Sequence, residues 1–297
     1  GAGRLLNGPP LIDAHVHAAR LPTLKESWRE WAAQHGSPSL LELYDEKGTL
    51  VPQRFDDYME REGVDVAVLF CEYSPKSTGI QPVEDLIPLL SHNPERFRLM
   101  ANLNPHLHFP VVDELERQIE LGAVGLKVHP VHGSFAPNDR MLYPAYAYCE
   151  REGFPVVFHC GTSVFPGSSN RYADPALIED VARDFPDLTI VLAHGGRGWW
   201  YDAAAFITLM RPNVWIEVSG LPPHKLPDYY RNFDFERLAR KMIFGTDWPG
   251  VPGPGSNAQA IVNLDLERET LERIFYKNAL RVYERIGAGN ITMIDID

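Results

Sequence analysis

Leu11-Ile12-Asp13-Ala14-His15-Val16-His17 is a short, mostly apolar run that closes on two histidines one residue apart. Residues i and i+2 of a strand face the same side, so both imidazoles can point at one ion. Three other runs end in the same way. Pro155-Val156-Val157-Phe158 leads to His159, Thr189-Ile190-Val191-Leu192-Ala193 to His194, and Met242-Ile243-Phe244-Gly245-Thr246 to Asp247. Such runs have the pattern of strands buried on both faces. In a barrel of parallel strands their C-terminal ends open onto one mouth, where active sites of that architecture sit. The donors therefore read together as one metal site.

Working outward, strand candidates fall at 11–16, 64–70, 97–103, 124–129, 155–160, 188–194, 213–219 and 241–247. Amphipathic helical stretches alternate with them at 53–62, 82–92, 111–121, 143–152, 175–185, 200–210, 227–239 and 267–276. Several open on proline (Pro52, Pro82, Pro175) and several end at glycine (Gly63, Gly122, Gly153), the usual start and stop signals. Eight such units predict an α/β fold, a (β/α)8 TIM barrel. A dinucleotide-binding sheet would need a glycine-rich turn after the first strand, and Ala18-Ala19 supplies none. With no fixed-period repeat and no linker, residues 1–297 read as one domain. Residues 18–51, carrying Trp28, Trp31 and Tyr44, read as a short helical insertion after the first strand that forms a lid. The stretch 286–297 alternates like a strand and reads as a packed tail or as an oligomer contact that would make a homodimer.

Composition bounds the partners. At 297 residues and 44% hydrophobic the chain can bury a large core. Its 28 basic and 40 acidic residues leave a net charge of −12, which argues against nucleic acid or an anionic membrane and for a small-molecule substrate. No apolar run approaches the roughly 20 residues of a membrane span, and no basic-then-apolar leader stands at the N-terminus. Cys71, Cys149 and Cys160 read as free core thiols of a cytoplasmic protein.

Taken in order, Ile12-Asp13-Ala14-His15-Val16-His17, Gly125-Leu126-Lys127-Val128-His129-Pro130, Phe158-His159-Cys160-Gly161, Leu192-Ala193-His194-Gly195-Gly196 and Phe244-Gly245-Thr246-Asp247-Trp248-Pro249 resemble the amidohydrolase superfamily. The branch they resemble is the amidohydrolase-related one, the TIM-barrel metal-dependent hydrolases. Asn278-Ala279-Leu280-Arg281-Val282-Tyr283 is similar to its closing motif, so the likeness spans residues 11 to about 285. The resemblance implies a metal-dependent enzyme but no particular substrate. The branch holds ester, lactone and amide hydrolases and also decarboxylases of aromatic or dienoic acids. Related dinuclear hydrolases carry a lysine near Lys127 that is carboxylated and bridges two metals. His159 and His194 would then hold the second ion, while His15, His17 and Asp247 hold the first. The alternative is a single ion on His15, His17, His159 and Asp247, with His194 positioning water.

Zinc-like ions accept imidazole nitrogen and carboxylate oxygen and keep a position open for water; zinc is the expected metal, with iron or manganese as alternatives. Asp247 suits a second role as acceptor of the proton from the activated water. The loops after the strands are rich in rings, which suits a bulky apolar or aromatic substrate. Phe135, Tyr172, Trp199 and Trp248 are the expected ring contacts, and Arg171 or Arg197 the expected clamp for a carboxylate. The reading is a hydrolase in which metal-activated water attacks an acyl carbonyl of an ester, lactone, thioester or amide. A second ion or His194 would polarise the carbonyl oxygen, and Asp247 would move the proton. The second reading is a metal-dependent decarboxylase, and the third a metal-holding scaffold without catalysis.

Overall fold

The computed structural model describes residues 10–287. Its ten strands are β1 (Ile12–Val16), β2 (Val66–Phe70), β3 (Glu72–Ser74), β4 (Gly79–Gln81), β5 (Phe97–Leu103), β6 (Ala123–Val128), β7 (Val156–Gly161), β8 (Ile190–Arg197), β9 (Val214–Glu217) and β10 (Met242–Ile243). Eight of them pair in parallel in the order β1-β2-β5-β6-β7-β8-β9-β10, with helices between, which is the barrel expected from the sequence. Their side chains are almost all buried, because helices cover the outside and the strands' own residues fill the inside. The stretch 288–297, most of the expected tail, lies outside the described residues.

The structure departs from the expected pattern in three places. The helical stretch 227–239 is broken into Leu226–Tyr229 and Phe235–Ala239, because Asp234 caps the second piece by accepting from the Arg237 amide. A helix at Pro254–Val262 follows the last strand and was not expected. Residues read as a loop around Glu72 form instead a small antiparallel hairpin, β3 with β4, too short to show alternation. The insertion carries the helix Glu26–His35, whose Trp28 and Ala32 form a separate apolar cluster with Ala19 and Leu24, joined by Trp31 and Phe165. Cys71, Cys149 and Cys160 are buried and free. Among the described residues no helix is long and apolar enough to cross a membrane.

The barrel closes between its first strand and the segment after β10. Ala14 N donates to Phe244 O (3.1 Å), Asp247 N to His15 O (2.8 Å) and His17 N to Trp248 O (2.9 Å). Asp13, wholly buried, clamps this seam: its carboxylate accepts from the Thr246 amide (3.0 Å) and hydroxyl (2.7 Å) and from the His15 amide (3.2 Å). Burial pushes the Asp13 carboxyl up to about 7 against the lowering effect of those bonds. The Thr246 hydroxyl also accepts from the Trp248 amide (3.0 Å), so it serves both sides of the turn that presents Asp247.

Thr246→Val keeps the shape of the side chain but leaves one Asp13 oxygen and the Trp248 amide without a partner. Chemical denaturation is expected to show a loss of about 1–3 kcal/mol. An unchanged midpoint and slope would mean that the clamp does not hold the seam.

Candidate metal centre

His15, on β1, is fully buried with its ring stacked on Phe70 at 4.0 Å. Its Nδ1 lies 2.6 Å from Oε1 of Glu217, the last residue of β9, whose Oε2 accepts from the Ser219 amide at 2.7 Å. A buried carboxylate at Nδ1 fixes the proton there and leaves Nε2 as a bare lone pair. His194 is set the same way, with Nδ1 donating to Ser219 O at 2.7 Å. His159 is set in the opposite sense. Its Nε2 lies 2.7 Å from Gly161 O, and its buried Nδ1 has no hydrogen-bond partner. His159 thus leaves a buried lone pair without a partner, while His15 Nε2 faces His17 Nε2 and Lys127 Nζ.

The lone pairs of His15 and His194 converge with His17 and Asp247. His15 Nε2 lies 3.1 Å from His17 Nε2 and 3.3 Å from Asp247 Oδ1, which is 2.9 Å from His17 Nε2. The donor atoms of His15, His194 and Asp247 lie within 4.8 Å of one another. Ligands bonded at about 2.1 Å around one ion stand roughly 3.0–3.4 Å apart, so this spacing fits a divalent metal. Burial lowers the pKa of His15, and lowers those of His159 and His194 well below the usual range, keeping the ligand form neutral. For Asp247 burial pushes upward, but the hydrogen bond from His17 and the neighbouring imidazoles hold it well below the usual carboxylate range, so the carboxylate stays ionised. Both Asp247 (φ 68°) and His194 (φ 73°) sit in the left-handed region, an uncommon backbone state for non-glycine residues that is held here by the packing around it. Gly245 is required beside them, since a β-carbon there would meet Glu217 Cδ at 2.8 Å and His15 Cβ at 3.1 Å.

These donors border a cavity of about 810 Å³. Trp28 and Trp31 of the insertion and Phe165 form part of its wall, so the inserted segment does cover the mouth. Lys127 reaches it from β6, 2% exposed, with Nζ 3.5 Å from His15 Nε2 and 4.8 Å from the Phe70 ring centroid. Burial lowers its pKa, while Glu72, Asp247 and Glu217 pull it back up. Arg197 also lines the cavity, donating to Thr162 O (2.6 and 3.2 Å) and Gly220 O (3.3 Å).

The other residues expected to touch substrate lie elsewhere, which corrects the sequence reading. Arg171 folds onto Tyr172 on the outside, bonded to its hydroxyl at 2.7 Å. Trp199 is 67% exposed. Trp248 is buried against Phe55 at 5.1 Å, and Phe135 is buried beneath Gly133. None of these five borders the cavity. Ring content alone cannot tell a rim that packs from a wall that binds. Sequence reasoning also missed Glu217, the partner of His15, and Glu72, which forms a second cluster with His129 and His132. Glu217 ends a buried strand run, Val214–Glu217, and an acid at such a position is itself a signal.

Glu217→Gln removes the charge that orients His15 without altering the donor set. Competition with a chelator is expected to show metal affinity reduced by roughly 10–100-fold with the fold intact. Unchanged affinity would show that Glu217 has no hold on His15 as a ligand.

Comparison with known proteins places the chain in a family. Residues 12–285 match the family model described as Amidohydrolase. The chain is 23% identical to 2-keto-4-carboxy-3-hexenedioate hydratase of Sphingobium sp., covering 94% of this chain and 97% of that protein. Its fold is similar to that of a dihydroxybenzoic acid decarboxylase from Polaromonas sp. solved with bound manganese (TM-score 0.68, 17% identity, covering 95% of this chain and 99% of that one). It is likewise similar to a probable 2-pyrone-4,6-dicarboxylic acid hydrolase from Acinetobacter baumannii (TM-score 0.63, 17% identity, 92% and 99%). With its strand-end histidines, its closing aspartate and a family match over nearly its whole length, the chain belongs to the amidohydrolase family, in the amidohydrolase-related branch.

Proposed function

We propose that this protein is a metal-dependent hydrolase that cleaves an acyl bond in a substrate carrying a free carboxylate. The observation that carries the reading is the pair Lys127 and Arg197. Both line the cavity that holds the donor cluster, and among the described residues neither has a carboxylate within ion-pair distance. Cations enclosed without an anion suit an anionic ligand. The printed names of the relatives fit this, since each describes a substrate that is a carboxylic acid.

His15, His17, His159 and Asp247 would hold a divalent metal, for which zinc, iron and manganese all suit the donors. Such an ion supplies Lewis acidity, which acidifies water and polarises a carbonyl. Asp247, ionised and hydrogen-bonded to His17, accepts the proton of the attacking water. His194 has its one proton committed to Ser219 O, so it presents an acceptor to that water and does not donate to the carbonyl oxygen as the sequence reading had it. With Nζ only 3.5 Å from His15 Nε2, we read Lys127 as a free ammonium facing the substrate carboxylate, in preference to a carboxylated bridge between two ions. The two tryptophans Trp28 and Trp31, with Phe165, near the mouth suit an apolar or aromatic body behind that carboxylate.

Decarboxylation is the second reading. It is favoured by the place of Lys127 beside His15, with Nζ 3.5 Å from Nε2, where a carboxylate it binds would also lie close to the ion.

Product analysis on aryl lactones and esters with a free carboxylate, against the corresponding aromatic acids, separates the two: acyl cleavage supports hydrolysis, and release of carbon dioxide alone overturns it. On whichever substrate turns over, Asp247→Asn is expected to cut kcat by roughly 10²–10⁴-fold or more. Lys127→Gln is expected to act mainly on KM for substrates with the carboxylate, a split that a bridging ligand would not give. A near-native rate for Asp247→Asn would remove it from the mechanism.

A further inference from the structure

A second constellation opens onto the same cavity. Glu72, His132 and Ser163 all line it, and they are linked in series. His132 Nδ1 lies 2.8 Å from Glu72 Oε1, and His132 Nε2 lies 2.7 Å from Ser163 Oγ. Each comes from a different element: Glu72 from the β3–β4 hairpin, His132 from the turn after β6, Ser163 from the loop after β7.

The backbone amide and the carboxylate in this cluster set its donors and acceptors. A backbone amide only donates, and the His132 amide donates to His129 Nδ1 at 3.1 Å. A neutral His129 therefore carries its proton on Nε2, which faces Glu72 Oε1 at 3.4 Å. That excludes His129 Nε2 as a lone-pair ligand, so the three residues form a hydrogen-bond network and not a second metal site. Glu72 Oε2 is occupied by the Thr78 hydroxyl. Burial alone would raise the Glu72 carboxyl, but His132 beside it, with His17 and Thr78, brings it down to about 2, so it is ionised at neutral pH. Glu72 holds the His132 proton on Nδ1, and the bare Nε2 takes the hydroxyl proton of Ser163. The Phe165 amide, 3.5 Å from Ser163 Oγ, is on the donating side of the same oxygen. Asn170 fixes the serine backbone on both sides, accepting from Ser163 N (2.8 Å) and donating to Ser163 O (3.3 Å).

Nucleophile, base and a group orienting the base, each within hydrogen-bond reach and on separate supports, is the arrangement of an activated serine. We propose that Ser163, His132 and Glu72 form a second, metal-independent catalytic centre for acyl transfer from carboxylic esters. Ser163 Oγ attacks the acyl carbon as its proton passes to His132 Nε2. The carbon–oxygen bond to the leaving alcohol breaks, and that alcohol takes the proton from His132. Water then attacks the acyl-serine, its proton passing to His132 and from there to Ser163 Oγ as the acyl–oxygen bond breaks, which releases the acid and restores the serine and the base.

The test uses a fluorophosphonate probe, in which Ser163 Oγ bonds to phosphorus, fluoride leaves and the proton goes to His132. Intact mass and peptide mapping of the full chain are expected to place one adduct on Ser163, absent in Ser163→Ala. The rate of labelling is expected to fall by at least about 100-fold in His132→Gln and to fall in Glu72→Gln, which preserves shape. Labelling of Asp247→Asn is expected to match the parent protein, which separates this centre from the metal-dependent reading. No adduct on Ser163, or an adduct formed at the same rate in His132→Gln, overturns the proposal.

Discussion

Closure of the barrel between the first strand and the segment after the last is the constraint on which the rest of the structure depends. His15 and His17 lie on one side of that seam and Asp247 on the other, so the donor set exists only when the two edges meet. Two residues of β10 make too short a ladder to close a barrel alone. The clamp of Asp13 on Thr246 and three backbone bonds supply what the ladder lacks. A buried carboxylate is a costly way to close a seam, tolerable because every donor around it is used. The same turn that carries Thr246 forces Asp247 into a left-handed backbone, which aims its carboxylate into the mouth and away from the β10 ladder.

From that seam the site is built by a ring of fixed tautomers. Glu217 and Ser219 O hold the protons of His15 and His194 on their outer nitrogens, and Gly161 O holds that of His159. The inner nitrogens of His15 and His194 are left within reach of one ion beside Asp247. Neutral imidazoles, an ionised aspartate and the amine of Lys127 are thereby kept within a few ångströms, an arrangement that burial alone would oppose. The hairpin and the turn after β6 add a second polar network whose members point into the same cavity from another side.

The barrel was legible because its strands are buried on both faces: continuous apolar runs such as Val66–Phe70 and Val156–Gly161 have no other ready use. The donors were legible because each ends such a run. Glu72 and Glu217 were not, since a single acid carries no period, and its value comes from a histidine that topology brings to it from elsewhere in the chain. The aromatic rim misled for the opposite reason. Trp248 and Phe135 are large and apolar, and in a barrel such residues are claimed first by packing, whereas Trp28 and Trp31 reach the cavity because the insertion folds back over it. His194 showed the finest gap: its place was readable, but the direction of its proton depends on a carbonyl 25 residues away.

The most direct test of the account is anomalous diffraction from crystals of the manganese-loaded protein. The account predicts one strong peak at about 2.1–2.3 Å from His15 Nε2, His17 Nε2, a ring nitrogen of His159 and the Asp247 carboxylate, with the side chain of Lys127 ending at Nζ. A peak between Glu72 and His132, a second peak bridged by density beyond Lys127 Nζ, or no peak at the strand ends would contradict it.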